Sequence, residues 1–255
     1  MQGPEQVLEQ LVRAQEQELV QEQALVQALH HTSHRSAFQK RLIQQPLMQN
    51  VLADMAVEVE AALALGLRMA QAMDRMDDPA EAALARIGTA VAKYWNTKRC
   101  PSLVVEALEC HGGPGYVEES IMPRLYREAP LNSIWEGSGN VMGLDVLRAM
   151  GREAEAIPAV MAELEKARGN HPNLDRAIDE LRDELADPEG LEGRMRMVTE
   201  MMALTLQGAL LTRHGDSAVA GAFCASRLAP RYRGAFGTLP KGLDLDAIIS
   251  RALPG

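Results

Sequence analysis

Long helical patterns, separated by proline and glycine breaks, constrain the fold of this chain more than any other feature. The first runs from Pro4 to His31 with Gln and Glu between apolar residues, and the second runs from about Leu47 to Asp78. Asp78 is a natural N-cap, and Pro79 suits the first turn of a third helix. Only 4% of the residues are aromatic, and β-branched runs are scarce. The sequence therefore favours helix over sheet.

The helical patterns predict an all-α protein built as an antiparallel helical bundle. After Gly151 the chain becomes highly charged but remains helical, so we expect a bundle at residues 1–150 and a helical C-terminal extension at 151–255. The first pattern is expected to form a surface helix. Its predicted core contacts are Leu8, Leu11, Val12, Leu19, Val26 and Leu29.

The composition excludes several classes of protein. A formal net charge of −9 argues against a general affinity for nucleic acid. Cys100, Cys110 and Cys224 are odd in number and lack CxxC spacing, which predicts the reduced thiols of a cytoplasmic protein rather than disulfides or a zinc site. No apolar run approaches the ~20 residues that span a bilayer. The histidines lack a neighbouring carboxylate as a third metal ligand, so no metal site is predicted.

Glu136 is the candidate catalytic residue. It lies in the string NSIWEGSGN, beside Trp135 and before a turn rich in Gly and Ser. An aromatic neighbour limits the hydration of a carboxylate, as a general base requires. The alternative is a turn carboxylate that caps the helix beginning near residue 138.

Two glycine clusters are candidate ligand contacts. Gly112 and Gly113 allow a ligand to approach the backbone closely, or they simply end a helix. The turn around Ser138 precedes a helix, where free amides and the helix dipole favour phosphate. Arg35 lies in a connector that contains an aromatic residue and is a candidate phosphate ligand.

Three ordered motifs resemble the C-terminal domain of acyl-CoA dehydrogenases. They are ECHGGPGY (109–116), PRLYRE (123–128) and IWEGSGN (134–140). The resemblance is strongest to the adaptive-response (AidB-type) subgroup, of which QQPLM (44–48) and LDVLR (144–148) are also typical. The similarity extends from about Ala28 to Met150.

This resemblance implies a flavin-dependent α,β-desaturation of an acyl-CoA thioester. The carboxylate at the position of Glu136 would remove the α-proton while the β-hydride passes to FAD, with Trp135, Gly137 and Arg148 as active-site neighbours. In the family the flavin lies between subunits, so a homodimer or tetramer is expected. The implied FAD contacts are Arg35, Phe38, Glu109, Gly112, Gly113, Ser138 and Asn140.

Three positions depart from the family pattern. Gln39 stands where the family usually has glycine, Ala37 replaces a hydroxyl residue, and Glu109 replaces a glutamine. The family also has an N-terminal helical domain and a middle β-domain before this region, and the sequence lacks both. We therefore expect a truncated form or fragment without substantial dehydrogenase turnover by itself.

Two other functions stay open from the sequence. The AidB-type subgroup is associated with DNA binding in the response to alkylation damage, and this chain has one local basic patch after Gly151. That patch consists of Arg227, Arg231, Arg233 and Lys241. The other alternative is a non-catalytic oligomerisation module, since an isolated bundle with exposed faces is expected to associate.

Overall fold

Helices account for nearly all regular structure in the computed structural model, which describes residues 4–230 and 234–253. Within those ranges there are eleven α-helices and one two-stranded antiparallel hairpin, so the predicted all-α helical fold is confirmed. The helices are α1 (Pro4–His34), α2 (Pro46–Met73), α3 (Pro79–His111), α4 (Gly113–Tyr116), α5 (Met122–Glu128), α6 (Gly139–Arg152), α7 (Ala156–Glu165), α8 (Pro172–Ala186), α9 (Leu191–His214), α10 (Ser217–Ser226) and α11 (Leu245–Ala252). The strands are β1 (Ser36–Ala37) and β2 (Lys40–Arg41).

The first three helices form the centre of the bundle and alternate in direction. The Gln21 amide nitrogen of α1 donates to the Asn96 carbonyl of α3 at 2.9 Å, and the His31 and His111 rings lie 4.7 Å apart further along. Residue numbers at the contacting positions therefore increase in the same direction along α1 and α3, so these two helices run parallel. The intervening α2 runs antiparallel to both, as short connections between consecutive helices require.

The start of α3 follows its sequence signals. The Asp78 carboxylate accepts a hydrogen bond from the Ala80 amide at 2.9 Å, and Pro79 occupies the first turn. This N-cap satisfies a backbone donor that the helix itself leaves unpaired. The predicted N-cap is therefore confirmed. It sets where α3 begins, and α3 contributes side chains to the candidate site.

The buried face of α1 differs from the predicted one. Of the six predicted core residues, Leu8, Val12 and Leu19 are exposed, Val26 is half-buried, and only Leu11 and Leu29 are buried. The face toward α2 and α3 instead buries Ala14, Ala24 and Ala28. The same face also buries Leu11, Leu25 and Leu29, so it combines small and large apolar side chains. α1 thus keeps an exposed face, as a surface helix does, but the prediction of which face it buries was wrong.

The C-terminal helices pack against the bundle through α9. This helix contacts α2, α3, α6 and α8, and its residues join one continuous hydrophobic cluster with those of the bundle. All three cysteines are buried and free. No helix in the described part of the chain is both long and apolar enough to cross a membrane.

Candidate functional site

Glu136 occupies a strained backbone conformation in the loop before α6. Its φ of 54° lies in the left-handed region that glutamate rarely adopts, and Gly137 follows at φ 113°. Such a conformation costs about 1–3 kcal/mol and is common at functional positions. Ser138, not Glu136, is the N-cap of α6, so the structure does not give Glu136 the capping role considered above.

Two cations from other helices lie beside this loop. Lys93 of α3 is fully buried, and its ammonium donates a hydrogen bond to the Gly137 carbonyl. Burial, helped by the neighbouring charge of Lys98 and opposed by that of Glu136, lowers the pKa of Lys93 to about 8. Arg13 of α1 lies over the Trp135 ring at 4.9 Å from its centroid and also interacts electrostatically with Glu136. We call Trp135, Glu136 and Gly137, with Arg13 and Lys93, the base patch.

The first turn of α6 is closely packed against α3 and α9. A Cβ on Gly139 would lie 2.8 Å from the Lys98 side chain, so only glycine fits there without displacing it. The Arg196 guanidinium of α9 donates to the Asn140 side-chain oxygen at 3.0 Å and lies 5.9 Å from the Tyr94 ring centroid. An arginine of the C-terminal extension therefore holds a predicted cofactor residue.

The hairpin after α1 presents Phe38 to solvent. Phe38 and Gln39 have φ of 52° and 66°, which is the two-residue type I′ geometry that glycine favours at such turns. This positive φ explains why the family usually has glycine at the position of Gln39. Phe38 is 93% exposed, and Arg35 at the base of the hairpin is also exposed. A large aromatic side chain held in strained backbone and in water suits contact with another molecule.

The glycine loop lies near this hairpin. Gly112 ends α3 at φ 65°, and a Cβ built on Gly112 or Gly113 would meet no atom within 4 Å. The backbone there is open on its outer side. Burial lowers the pKa of His31, and the nearby charges of His111 and Arg35 lower it further, which places these groups together. We call Arg35, Phe38, Gly112 and Gly113, with the His31–His111 pair, the hairpin patch.

The two patches lie apart along the α1–α3 pair. Arg13 and Lys93 belong to the base patch, and His31 and His111 to the hairpin patch. Each helix has 18 residues between its two positions, which corresponds to about 27 Å at 1.5 Å per residue. The structure thus brings the predicted site residues together as two groups rather than one.

Arg148 and Glu109, the remaining predicted site residues, have contacts or positions that do not involve Glu136. Arg148 donates to the Asp145 carboxylate at 3.2 Å, one turn back on α6. Glu109 is exposed on the last turn of α3, one turn before Gly112. Their assignment as active-site neighbour and flavin contact therefore stays a prediction.

The predicted basic patch is wrong at its first member. Arg227 is 6% exposed and forms ion pairs with Asp54 and Glu58 of α2, so its charge is used inside the protein. Lys241 is exposed. Arg231 and Arg233 lie outside the described residues. The sequence could not show that Arg227 faces two carboxylates 169 and 173 positions earlier.

Sequence reasoning missed Arg13, Lys93 and Arg196 as members of the site. Lys93 had a local signal, because a single lysine within the apolar run AVAKYW is placed where a helix buries its neighbours. Arg13 and Arg196 had none, since their approach to the loop depends on how separate helices pack. Among the described residues, no group of three or more His, Cys, Asp and Glu side chains is arranged to hold a metal ion.

Comparison with known proteins gives one consistent relationship. The family model described as "Acyl-CoA dehydrogenase, C-terminal domain" matches residues 11–151. The putative acyl-CoA dehydrogenase AidB of Escherichia coli K12 is 42% identical over 204 residues, covering 80% of this chain and 37% of that protein. The chain therefore spans little more than a third of the length of this curated relative.

Solved structures show the same fold. Caenorhabditis elegans ACDH-11, solved with C11-CoA, superposes with a TM-score of 0.81 at 24% identity, over 91% of this chain and 45% of its own. An acyl-CoA dehydrogenase of Bacillus anthracis, solved with FAD, gives a TM-score of 0.69 at 18% identity, over 86% of this chain and 46% of its own. At these identities the likeness concerns the fold.

Proposed function

The chain belongs to the acyl-CoA dehydrogenase family, and on that premise we propose that it supplies the catalytic base of a flavin-dependent acyl-CoA dehydrogenase. Glu136 would remove the α-proton of an acyl-CoA thioester. The observation that carries this proposal is the strained backbone of Glu136 beside Arg13 and Lys93. A carboxylate held by its backbone and by nearby charges is positioned for proton transfer, which depends first on geometry.

FAD is the cofactor that the family relationship indicates, and the residues of this chain fit it. The open backbone at Gly112 and Gly113 leaves room for close approach, and exposed Phe38 offers an aromatic surface. At the start of α6, Ser138 makes no side-chain capping hydrogen bond and remains available. When bound, FAD accepts the hydride from the substrate β-carbon. The chain itself would bind the cofactor, orient it and hold the base.

The separation of the two patches supports a cofactor shared between subunits. Within one chain the base patch and the hairpin patch are about 27 Å apart along α1 and α3. Two copies of the chain could each give the base patch to one cofactor and the hairpin patch to the other. We therefore propose a homo-oligomer, at least a dimer, as the functional form.

Flavin retention and base chemistry can be measured separately. The purified chain is mixed with FAD and filtered, and the visible absorbance of the retained protein reports binding. Saturated acyl-CoA is then added without oxygen, and loss of the flavin absorbance reports proton and hydride removal together. We expect Glu136→Gln to retain flavin but to bleach it roughly 100-fold or more slowly, the contribution of a general base.

The matched control is Glu128→Gln, an exposed carboxylate at the end of α5. It should bleach at the parent rate. Bleaching by Glu136→Gln at that rate would assign the base to another carboxylate. Because the chain spans 37% of its Escherichia coli relative, we expect little steady turnover from the chain alone. Rapid turnover with an added electron acceptor would contradict that expectation.

A further inference from the structure

A cleft of about 610 Å³ opens between α2, α7, α9 and α11. Its lining comes from the C-terminal halves of α2 and α9, with contributions from the ends of α7 and α11, and includes no residue of the base patch or the hairpin patch. Binding pockets for small molecules have volumes of this order. The cleft therefore has the size of a ligand site without belonging to the site already described.

One wall of the cleft is aliphatic. Leu63 and Leu67 lie one turn apart on α2 and are 42% and 57% exposed. Leu210 and Leu211 of α9 continue the apolar surface toward the interior. Together they form a strip that an alkyl chain would cover, at a gain of about 0.8 kcal/mol per buried methylene group.

The lining is also cationic. Its permanent cations are Arg68, Arg75, Lys166, Arg213 and Arg251, and its carboxylates are Glu60, Glu81 and Glu163. Five positive charges against three negative charges leave an excess of two, before His214 is counted. This excess is local, since the whole chain has a formal net charge of −9. A concave positive surface on an acidic protein attracts anions.

Part of the charge excess arises because three cations share Glu163, while Arg251 is paired with Glu60 at 2.7 Å. Glu163 accepts from Arg68 at 3.0 Å and from Lys166 and Arg213 at 2.8 Å each. Burial alone would raise the pKa of Glu163, but the hydrogen bonds from Arg68 and Lys166 lower it to about 2. Arg68 also pairs with Glu81 at 2.7 Å, so these three cations face two carboxylates and leave one positive charge in excess.

Arg75 adds a cation at the outer end of the α2 wall. It is exposed, and no ion pair joins it to a carboxylate within residues 4–230 and 234–253. Its guanidinium can therefore meet an external anion without giving up an internal partner. On the inner side Lys166 is 49% exposed, so its ammonium also faces water.

We propose that this cleft binds a free medium-chain fatty-acid anion, with the carboxylate at the cations and the alkyl chain along the leucines. A nucleic acid would use the cations but not the leucine strip. A neutral lipid would use the leucines but would desolvate the cations without compensation. An alkyl carboxylate would pair its charge with the cations and cover the leucines with its chain. The proposal does not depend on flavin binding or on the role of Glu136.

Calorimetric titration of the full 255-residue chain tests both halves of the ligand. The probes are decanoate, decan-1-ol, which lacks the charge, and acetate, which lacks the chain. We expect decanoate to bind at least 10-fold more tightly than either. Equal binding of decan-1-ol and decanoate would overturn the role of the cations, and equal binding of acetate would overturn that of the leucines.

Two variants locate the binding to this cleft. Arg75→Gln/Lys166→Gln removes two solvent-exposed cations and leaves Glu163 paired with Arg68 and Arg213, so the fold is expected to persist. Leu67→Asp places a negative charge on the aliphatic strip. Each should weaken decanoate binding at least 10-fold. The control variants change residues of similar exposure outside the cleft, Arg182→Gln on α8 and Leu19→Asp on α1.

Both controls should bind decanoate like the parent chain. Circular dichroism at the titration temperature verifies that each variant is folded. Decanoate affinity that is unchanged in both cleft variants would overturn the proposal by placing the ligand elsewhere. A loss confined to the cleft variants would support it, whether or not the chain binds FAD.

Discussion

At the scale of single residues, Glu18 is a buried carboxylate outside the candidate site whose pKa changes strongly on folding. It is 7% exposed between α1, α2 and α3, and its carboxylate accepts a hydrogen bond from the Asn96 amide at 2.9 Å. Gly66 makes room for it, because a Cβ there would lie 2.0 Å from a Glu18 oxygen. Burial raises the pKa of Glu18 to about 8, and the Asn96 hydrogen bond only partly opposes this.

Glu18→Gln should therefore stabilise the protein at pH 8 but not at pH 4. Below the ordinary pKa of 4.5, Glu18 is protonated in both the folded and the unfolded parent, so its burial does not reduce the free energy of unfolding by deprotonation. As the pH rises toward 8, the unfolded state loses its proton first, so the free energy of unfolding falls by up to about 1.4 kcal/mol per pH unit. Urea unfolding at several pH values measures this slope.

The control for Glu18 is Glu22→Gln, an exposed carboxylate one turn further along α1. It should keep the pH dependence of the parent. The same slope in Glu18→Gln and the parent would show that Glu18 titrates normally.

Gln39→Gly should stabilise the hairpin after α1. Gln39 has a φ of 66°, where glycine avoids the steric cost that other residues meet. Relief of this cost exceeds the entropy that glycine loses, so we expect a gain of about 0.5–1 kcal/mol in the free energy of unfolding. Lys40→Gly, outside the left-handed region, should destabilise instead. Thermal unfolding compares the two, and a shift of the same sign in both would contradict the conformational explanation.

The sequence predicted part of the candidate site because that part is local. Glu136, Trp135 and Gly137 are neighbours in one motif, and their chemistry could be inferred from residue type. Arg13 and Lys93 reach the same loop from two helices, and no spacing rule joins positions so far apart. The strain at Glu136 was also invisible, since backbone angles follow from how the loop is anchored at both ends.

At the scale of elements, α1 shows why helix location is easier to predict than helix orientation. Its periodicity placed the helix correctly from Pro4 to near its end at His34. However, apolar residues with helical spacing occur on more than one face of this helix, and the sequence does not show which face meets the rest of the bundle. Packing against α2 and α3 buries the face that carries Leu11, Ala14, Leu25 and Leu29.

This orientation of α1 buries an unpaired polar side chain, so we expect that an apolar substitution there stabilises the protein. Gln17 is fully buried, and neither polar atom of its side chain has a hydrogen-bond partner within the described residues. A buried unpaired amide costs about 1–3 kcal/mol. Gln17→Leu removes the unpaired groups at similar volume, so we expect the free energy of unfolding to rise by about 1–2 kcal/mol. Guanidinium unfolding provides the measurement.

Gln23→Leu on the exposed face of α1 is the matched control and should change stability by less than about 0.5 kcal/mol. A destabilised Gln17→Leu with an unchanged Gln23→Leu would mean that Gln17 is paired, for example by a buried water.

At the scale of the whole molecule, buried ion pairs join the C-terminal extension to the bundle. Arg227, just after α10, pairs with Asp54 and Glu58 of α2, and Asp54 also accepts from the Gly237 amide at 2.9 Å. Glu58 pairs in addition with Arg99 of α3 at 3.0 Å. The boundary near residue 150 stays a prediction from composition, but these contacts cross it. A change of charge density along a sequence does not show which side chains become buried partners.

Arg227→Met should therefore destabilise the entire protein rather than the extension alone. The substitution keeps the apolar stem but leaves Asp54 without this partner in the interior, and loss of one member of a buried pair costs about 3–5 kcal/mol. Arg182→Met, which removes a half-exposed arginine from α8, should cost less than about 1 kcal/mol. Urea unfolding followed by circular dichroism measures both. A single transition shifted to lower urea is expected for Arg227→Met, because one hydrophobic cluster includes residues from both parts. Two separated transitions would instead show that the extension unfolds independently and that the ion pairs only dock it onto the bundle.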